Sequence, residues 1–365
     1  MMPLERILHV VGKMDRAGAE TMLMNLYRQI DRTQIQFDFI TFTDETGDYD
    51  AEIIAMDGKI IPIIANNPIE RMLKLQRFLK KNPQYKIVHA HMLLSNAFHL
   101  LAAKMAGVKN RISHSHNTSN GHSTAIKKAY EQWALVVNRQ VATYKIACGE
   151  LAAQYLFGTS KNVLLLPNAV NIEKMMTVAR HSRNYIDQEF NSTGLKIIQV
   201  GRLGEVKNHQ FSLEIAEQLK NGNIDFTLYV VGQGPLESSL KQQVRDKSLV
   251  DNVKFLGVRT DITELMASAD YMIMPSLHEG FPVVLVESQT VGLKSLVSNN
   301  VSAEVDLGVG LVDFLSIDST DAWVNRLLTS GHSISTDDEI LDVLKSNGFD
   351  AATNAQQLLH VYLSL

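Results

Sequence analysis

Short apolar runs, separated by longer stretches with a helical period, recur from one end of the chain to the other. That alternation is the signature of βαβ units and parallel sheets. The first half predicts strands near 7–12, 37–42, 60–64, 87–91, 111–116, 144–149 and 163–168, and the second near 196–201, 227–232, 253–257, 271–276 and 294–299. Two such sets imply an α/β protein with two Rossmann-like domains and a cleft between them. Pro and Asn break the periodicity at Leu166-Pro-Asn-Ala-Val-Asn171, which places the domains at 1–170 and 171–350. Residues 351–365 read as a last helix.

Composition bounds the class. A chain of 365 residues with 45% hydrophobic and 20% charged positions is an ordinary globular protein, and its length favours two cores over one. No apolar run approaches a membrane span and the first residues do not read as a signal peptide, so the expected location is the cytoplasm. The single cysteine, Cys148, ends an apolar run and is expected to be a small buried hydrophobe. Net charge is −4, but residues 1–170 hold 20 basic and 14 acidic side chains, a balance of +6, which leaves −10 for the rest. Between Lys59 and Lys145 there are 14 basic residues and only Glu70 and Glu131 as acids. Such a half suits an anionic membrane surface or a phosphorylated acceptor. Nucleic acid is not expected, because no zinc-finger, RRM or KH signature is present and the acidic half would repel a polyanion.

The densest chemistry lies in Pro275-Ser-Leu-His-Glu-Gly-Phe-Pro-Val-Val-Leu-Val-Glu287. The run Tyr271-Met-Ile-Met274 reads as a buried strand, Gly280 turns the loop, and Pro282 suits the first position of a helix. Unpaired amides at the 281–283 helix start, the N–H groups of Phe281 and Val283 with Pro282 between them, would then face a phosphate. Glu279 and Glu287, on either side, suit sugar hydroxyls better than phosphate, although acids at a helix start also serve the helix dipole alone. A second element, Lys196-Ile-Ile-Gln-Val-Gly-Arg-Leu-Gly-Glu-Val-Lys-Asn-His209, is a strand ending in Gly201 and a loop that carries Arg202 and Lys207. Two cations at the carboxyl end of a parallel strand sit where open α/β sheets bind ligands.

With these two motifs, and with Ile7-Leu-His-Val-Val-Gly12, Gly18-Ala-Glu-Thr-Met-Leu-Met-Asn-Leu-Tyr27 and Leu166-Pro-Asn-Ala-Val170, the chain resembles the retaining glycosyltransferases of family 4, of GT-B fold, and most closely the capsular and exopolysaccharide type. The resemblance implies a hexosyl transfer from a nucleotide-diphosphate sugar to a glycan or polyprenyl-diphosphate-linked acceptor, with no metal and no other cofactor. Uridine diphosphate is the expected carrier, with guanosine diphosphate mannose as the alternative. Arg202 and Lys207 would hold the diphosphate, Glu279 the transferred sugar and Glu287 the ribose. His116 would reach the sugar–phosphate region, Gly18 and Gly232 would lie beside the nucleotide, and the base would stack near Val258. The last helix would pack back on the first domain. The same-fold alternatives are a nucleotide-sugar 2-epimerase and a non-enzymatic sugar-binding protein.

Three further patterns were weighed on the residues alone. His89-Ala-His91 and His114-Ser-His116 each put two imidazoles on one strand face, a metal-ligand spacing, but without the cysteines or carboxylates that would close a site. Asp48-Tyr-Asp50 mimics an Asp-x-Asp metal motif away from the donor motifs. The stretch Lys127–Arg139 is an amphipathic helix with Trp133, suited to core packing or to a headgroup layer.

Overall fold

The computed structural model describes residues 4–116, 124–329 and 336–365. The chain divides into two compact units, Met1–Val170 with Asp350–Leu365, and Asn171–Phe349.

Unit 1 is built on strands β1 (Glu5–Val10), β2 (Ile35–Thr41), β3 (Lys59–Pro62), β4 (Ile87–Ala90), β5 (Asn110–Ser115), β6 (Tyr144–Ala147) and β7 (Leu164–Leu165). They form one parallel sheet in the order β3-β2-β1-β4-β5-β6-β7. Alternation along each strand feeds two cores, because successive side chains leave opposite faces. Ile7, Phe37, Phe39 and Ile112 pack with the helices Gly18–Gln29 and Ala351–Ser364. Leu8, Ile40, Val88 and Ala90 pack with Pro68–Lys81 and Asn96–Met105 on the other side. The last helix is seated by Asn354 Nδ2 donating to the Pro167 carbonyl at 3.0 Å and by a 2.7 Å bond between Tyr362 OH and His89 Nδ1.

Unit 2 repeats the plan with β8 (Leu195–Val200), β9 (Phe226–Val231), β10 (Val253–Gly257), β11 (Tyr271–Met274), β12 (Lys294–Ser298) and β13 (Val312–Leu315), in the order β10-β9-β8-β11-β12-β13. Ile197, Leu228 and Ile273 face Trp323 and Leu213. Ile198, Tyr229 and Met272 face Leu285 and Leu265. In both sheets the order reverses beside the first strand, between β1 and β4 and between β8 and β11. Crevices at such switch points, outside the carboxyl ends of the strands, are where ligands bind.

Two local expectations are corrected. The strand β13 follows no run that the pattern singled out, because Val312-Asp-Phe-Leu is short, contains an acid and lies at the sheet edge. Pro282 is the N-cap of the helix Val283–Thr290 and not its first residue, with ψ at 117°, outside the helical range.

Candidate active site

In unit 2 the loops after β8 and β11 meet at the switch point. Leu277 N donates to the Val206 carbonyl at 2.8 Å and Asn208 Nδ2 to the Pro275 carbonyl at 3.1 Å, so one backbone bond and one side-chain bond tie the two loops. Across that seam Lys207 Nζ lies 2.5 Å from Glu279 Oε1, with the side chains 20% and 17% exposed. Ser276 Oγ donates to the same carboxylate oxygen at 3.2 Å, and Ser302 N to the Glu279 carbonyl at 3.2 Å. Gln199 Nε2 holds the Lys207 carbonyl at 2.9 Å. Glu279 is thus fixed at both its main chain and its side chain. Arg202 is exposed and forms no ion pair among the described residues.

Glycines make this crowding possible. A Cβ on Gly201 would stand 2.9 Å from Lys207 Cε, which can swing aside, but the φ of 153° there is one that other residues rarely adopt. Gly232 has φ of 132°, and a Cβ there would lie 2.1 Å from the Gly201 carbonyl oxygen. Gly201 N bonds the Val231 carbonyl at 2.9 Å and Gly232 N the Gly257 carbonyl at 2.8 Å, which aligns the ends of β8, β9 and β10. Val258, just beyond, is exposed. Arg259 beside it is held by Asp261 at 2.8 and 2.6 Å, and Tyr185 OH donates to the same carboxylate at 2.6 Å.

Glu287 lies one turn into the helix that starts at Val283, and its low-polarity surroundings push its carboxyl from the ordinary 4.5 up to about 7. The folded chain therefore keeps a proton that the unfolded chain releases between pH 4.5 and 7, and loses stability as pH rises through that window. We expect Glu287→Gln to melt above wild type at pH 8, with the difference closing toward pH 4.5; a constant difference across the range would contradict the assignment. The Phe281 ring stacks on Phe349 at 5.5 Å and 5°, so its side chain is committed to packing and only its backbone is left for a ligand.

Unit 1 holds the other two predicted residues. Gly18 opens its helix with open space where a Cβ would point, so neither packing nor backbone strain demands glycine there. His116 ends a row of imidazoles. His9 Nδ1 is 3.0 Å from His91 Nε2, and His91 Nδ1 is 2.9 Å from His116 Nε2. Each pair has ring centroids 5.2 Å apart, the hydrogen bond plus one ring radius at either end, so the bonds run in the ring planes. His89 lies 4.1 Å from the His91 ring and His114 3.9 Å from the His116 ring, across their faces. Burial lowers all five ring pKa values, so the rings are neutral. His116 Nε2 is taken up by His91, and its Nδ1 is buried. The triads His9–His89–His91 and His91–His114–His116 have metal-ligand proximity. A cation about 2.0–2.1 Å from two nitrogens that are 2.9 Å apart would sit off the line that joins them, and would replace the hydrogen bond that they share. Asp48 and Asp50 instead accept from the Arg16 and Gly47 amides, at 2.9 Å each.

Sequence reasoning saw the two histidine pairs but missed His9, whose membership depends on its register opposite His89. It also missed Ser276, for which a hydroxyl three residues before Glu279 was the available signal.

Comparison with known proteins fixes what this architecture belongs to. Residues 16–174 match the family described as Glycosyltransferase Family 4, and residues 183–307 that described as Glycosyl transferases group 1. The chain is 38% identical to a Bacillus subtilis (strain 168) protein named as the glycosyltransferase EpsF, over 98% of this chain and 96% of that one. This chain is a family 4 glycosyltransferase. A second relative, 26% identical over 95% of this chain and 96% of its own length, is the Escherichia coli UDP-Gal:alpha-D-GlcNAc-diphosphoundecaprenol alpha-1,3-galactosyltransferase. Among solved structures, Anabaena HepE in complex with UDP and glucose superposes with a TM-score of 0.80 at 17% identity, covering 99% of this chain and 100% of that one. The glycosyltransferase thus has the GT-B fold, with two Rossmann-like units. No helix among its described residues is long and apolar enough to cross a membrane.

Proposed function

We propose that this glycosyltransferase moves a hexose, with retention of anomeric configuration, from a UDP-sugar to a glycan carried on a polyprenyl diphosphate, in the assembly of a surface polysaccharide. The observation that carries the reading is the Lys207–Glu279 pair, which joins the loop that carries Arg202 to the loop that leads into the helix of Glu287 at one switch point. It is supported by the relative that uses UDP-Gal and a diphosphoundecaprenol acceptor, by the relative named for capsular polysaccharide synthesis in Staphylococcus aureus, and by the UDP-glucose complex of the structural neighbour.

In this reading the bond between the anomeric carbon and the β-phosphate oxygen breaks with its electron pair left on the diphosphate. The acceptor hydroxyl oxygen takes its place, and its proton passes to the departing diphosphate oxygen. Arg202, Lys207 and the amides from Val283 onward offset the growing negative charge. Glu279 accepts from sugar hydroxyls and Glu287 from the ribose diol, while the base lies by Gly232 and Val258. Incubating UDP-sugars with and without a polyprenyl-diphosphate-linked acceptor tests the reading. UDP release that depends on acceptor is the expected result; isomerised donor without acceptor would mean a 2-epimerase.

Charge compensation by the protein itself makes a metal unnecessary, so transfer should persist in excess EDTA. Activity rescued only by Mg²⁺ or Mn²⁺ would contradict this. We further propose that the protein is cytoplasmic and docks unit 1 on the inner membrane face. The helix Ala125–Val141 carries Lys127 and Lys128, with Ile126 84% and Trp133 39% exposed. Each basic residue near an anionic surface contributes about 1 kcal/mol, screened by salt. Co-sedimentation with phosphatidylglycerol vesicles should fall at high salt and in Lys127→Glu/Lys128→Glu; equal binding to neutral vesicles would refute electrostatic docking.

A further inference from the structure

The two cations of the candidate donor site are not equivalent. Arg202 is exposed and forms no ion pair among the described residues, whereas Lys207 is engaged at 2.5 Å by the Glu279 carboxylate, to which Ser276 Oγ also donates, on a residue whose main-chain carbonyl accepts from Ser302 N. A ligand phosphate can take Arg202 at once. It can take Lys207 only by displacing Glu279 or by lying against it. A partly buried carboxylate deprived of its cation and set beside a diphosphate is repelled, and little water reaches it to screen the repulsion.

What relieves that penalty is a hydroxyl donor. A nucleotide sugar brings one: its sugar hydroxyls can donate to Glu279 as the phosphates draw Lys207 away. A free nucleoside diphosphate brings the same phosphates and its ribose but no transferred sugar, so Glu279 would lose one partner without gaining another. We propose that Glu279 discriminates between the nucleotide sugar and the free nucleoside diphosphate by holding Lys207 whenever no sugar is present. The inference rests on the reading of this seam as the donor site. It adds that the ion pair reforms as the product diphosphate leaves, which weakens product binding and clears the site for the next donor.

Calorimetric titration with UDP and with the UDP-sugar that supports transfer tests it, in wild type and in Glu279→Gln. The substitution keeps the shape and hydrogen-bonding length of the side chain and removes its charge; thermal unfolding confirms that both proteins are folded. UDP should bind Glu279→Gln at least about tenfold more tightly, a modest value for one charge in a partly buried site. The UDP-sugar should change by less, so the preference for donor over product shrinks while turnover falls. In a Lys207→Ala background the same change should gain less for UDP. An equal gain in both backgrounds would overturn the hold on Lys207. Unchanged or weaker UDP binding in Glu279→Gln would overturn the discrimination and leave the donor site standing, whereas wild type that binds neither UDP nor UDP-sugar would overturn both.

Discussion

Lys207→Ala should lower kcat by about 10²–10³, or roughly 2.7–4 kcal/mol, the loss typical when one preorganised charge-stabilising donor is removed. The effect should fall mainly on turnover, because the negative charge that Lys207 opposes grows as the glycosidic bond to phosphate breaks. Its position supports this size. The ammonium is partly buried, its stem threads past Gly201, and its carbonyl is held by Gln199, so it is aimed before any donor arrives. Loss of the ion pair leaves the Glu279 carboxylate partly buried without its cation, so kcat is compared only after thermal unfolding shows the variant folded. A folded Lys207→Ala enzyme with near-normal kcat would remove the residue from the mechanism.

The second large effect is on stability. Gly232→Ala would place a methyl group 2.1 Å from the Gly201 carbonyl oxygen, at a φ of 132° that other residues rarely adopt. Both contacts are backbone, so no side chain can swing away. Strain and overpacking together should cost about 3 kcal/mol or more. For a unit of this size each kcal/mol shifts the melting midpoint by roughly 2–4 °C. Thermal unfolding of Gly232→Ala should therefore show a drop on the order of 10 °C, with donor binding lost as the ends of β8 and β9 move apart. A midpoint within a degree or two of wild type would mean that the strand ends can separate without cost.

The alternation of apolar runs was enough to read both sheets, because a parallel strand buried on both faces is nearly continuous in hydrophobicity. The strand β13 escaped for the converse reason: at the edge, with Asp313 paired to Lys294 and Arg326, it has no such run. Pro282 was read as a helical residue because its fixed φ suits either position, and only ψ distinguishes the N-cap. At the candidate site, residue types and their place after strands were legible in the chain. That Lys207 and Glu279 face each other was not, since it follows from β8 and β11 being neighbours across the switch point. The imidazole row is the same case, with His9 joined to the His89–His91 pair by strand register and not by spacing. The Glu287 environment was also hidden, since burial of one helical position depends on what packs over it.

The central claim is that the seam in unit 2 binds the diphosphate of a nucleotide sugar through protein cations. Titration of UDP into the protein in excess EDTA, with wild type set beside an Arg202→Ala/Lys207→Ala variant of unchanged melting behaviour, tests it most directly. The account predicts binding by wild type without metal and its loss in the variant. Equal affinity in the two proteins, or wild-type binding that appears only when a divalent metal is restored, would contradict it.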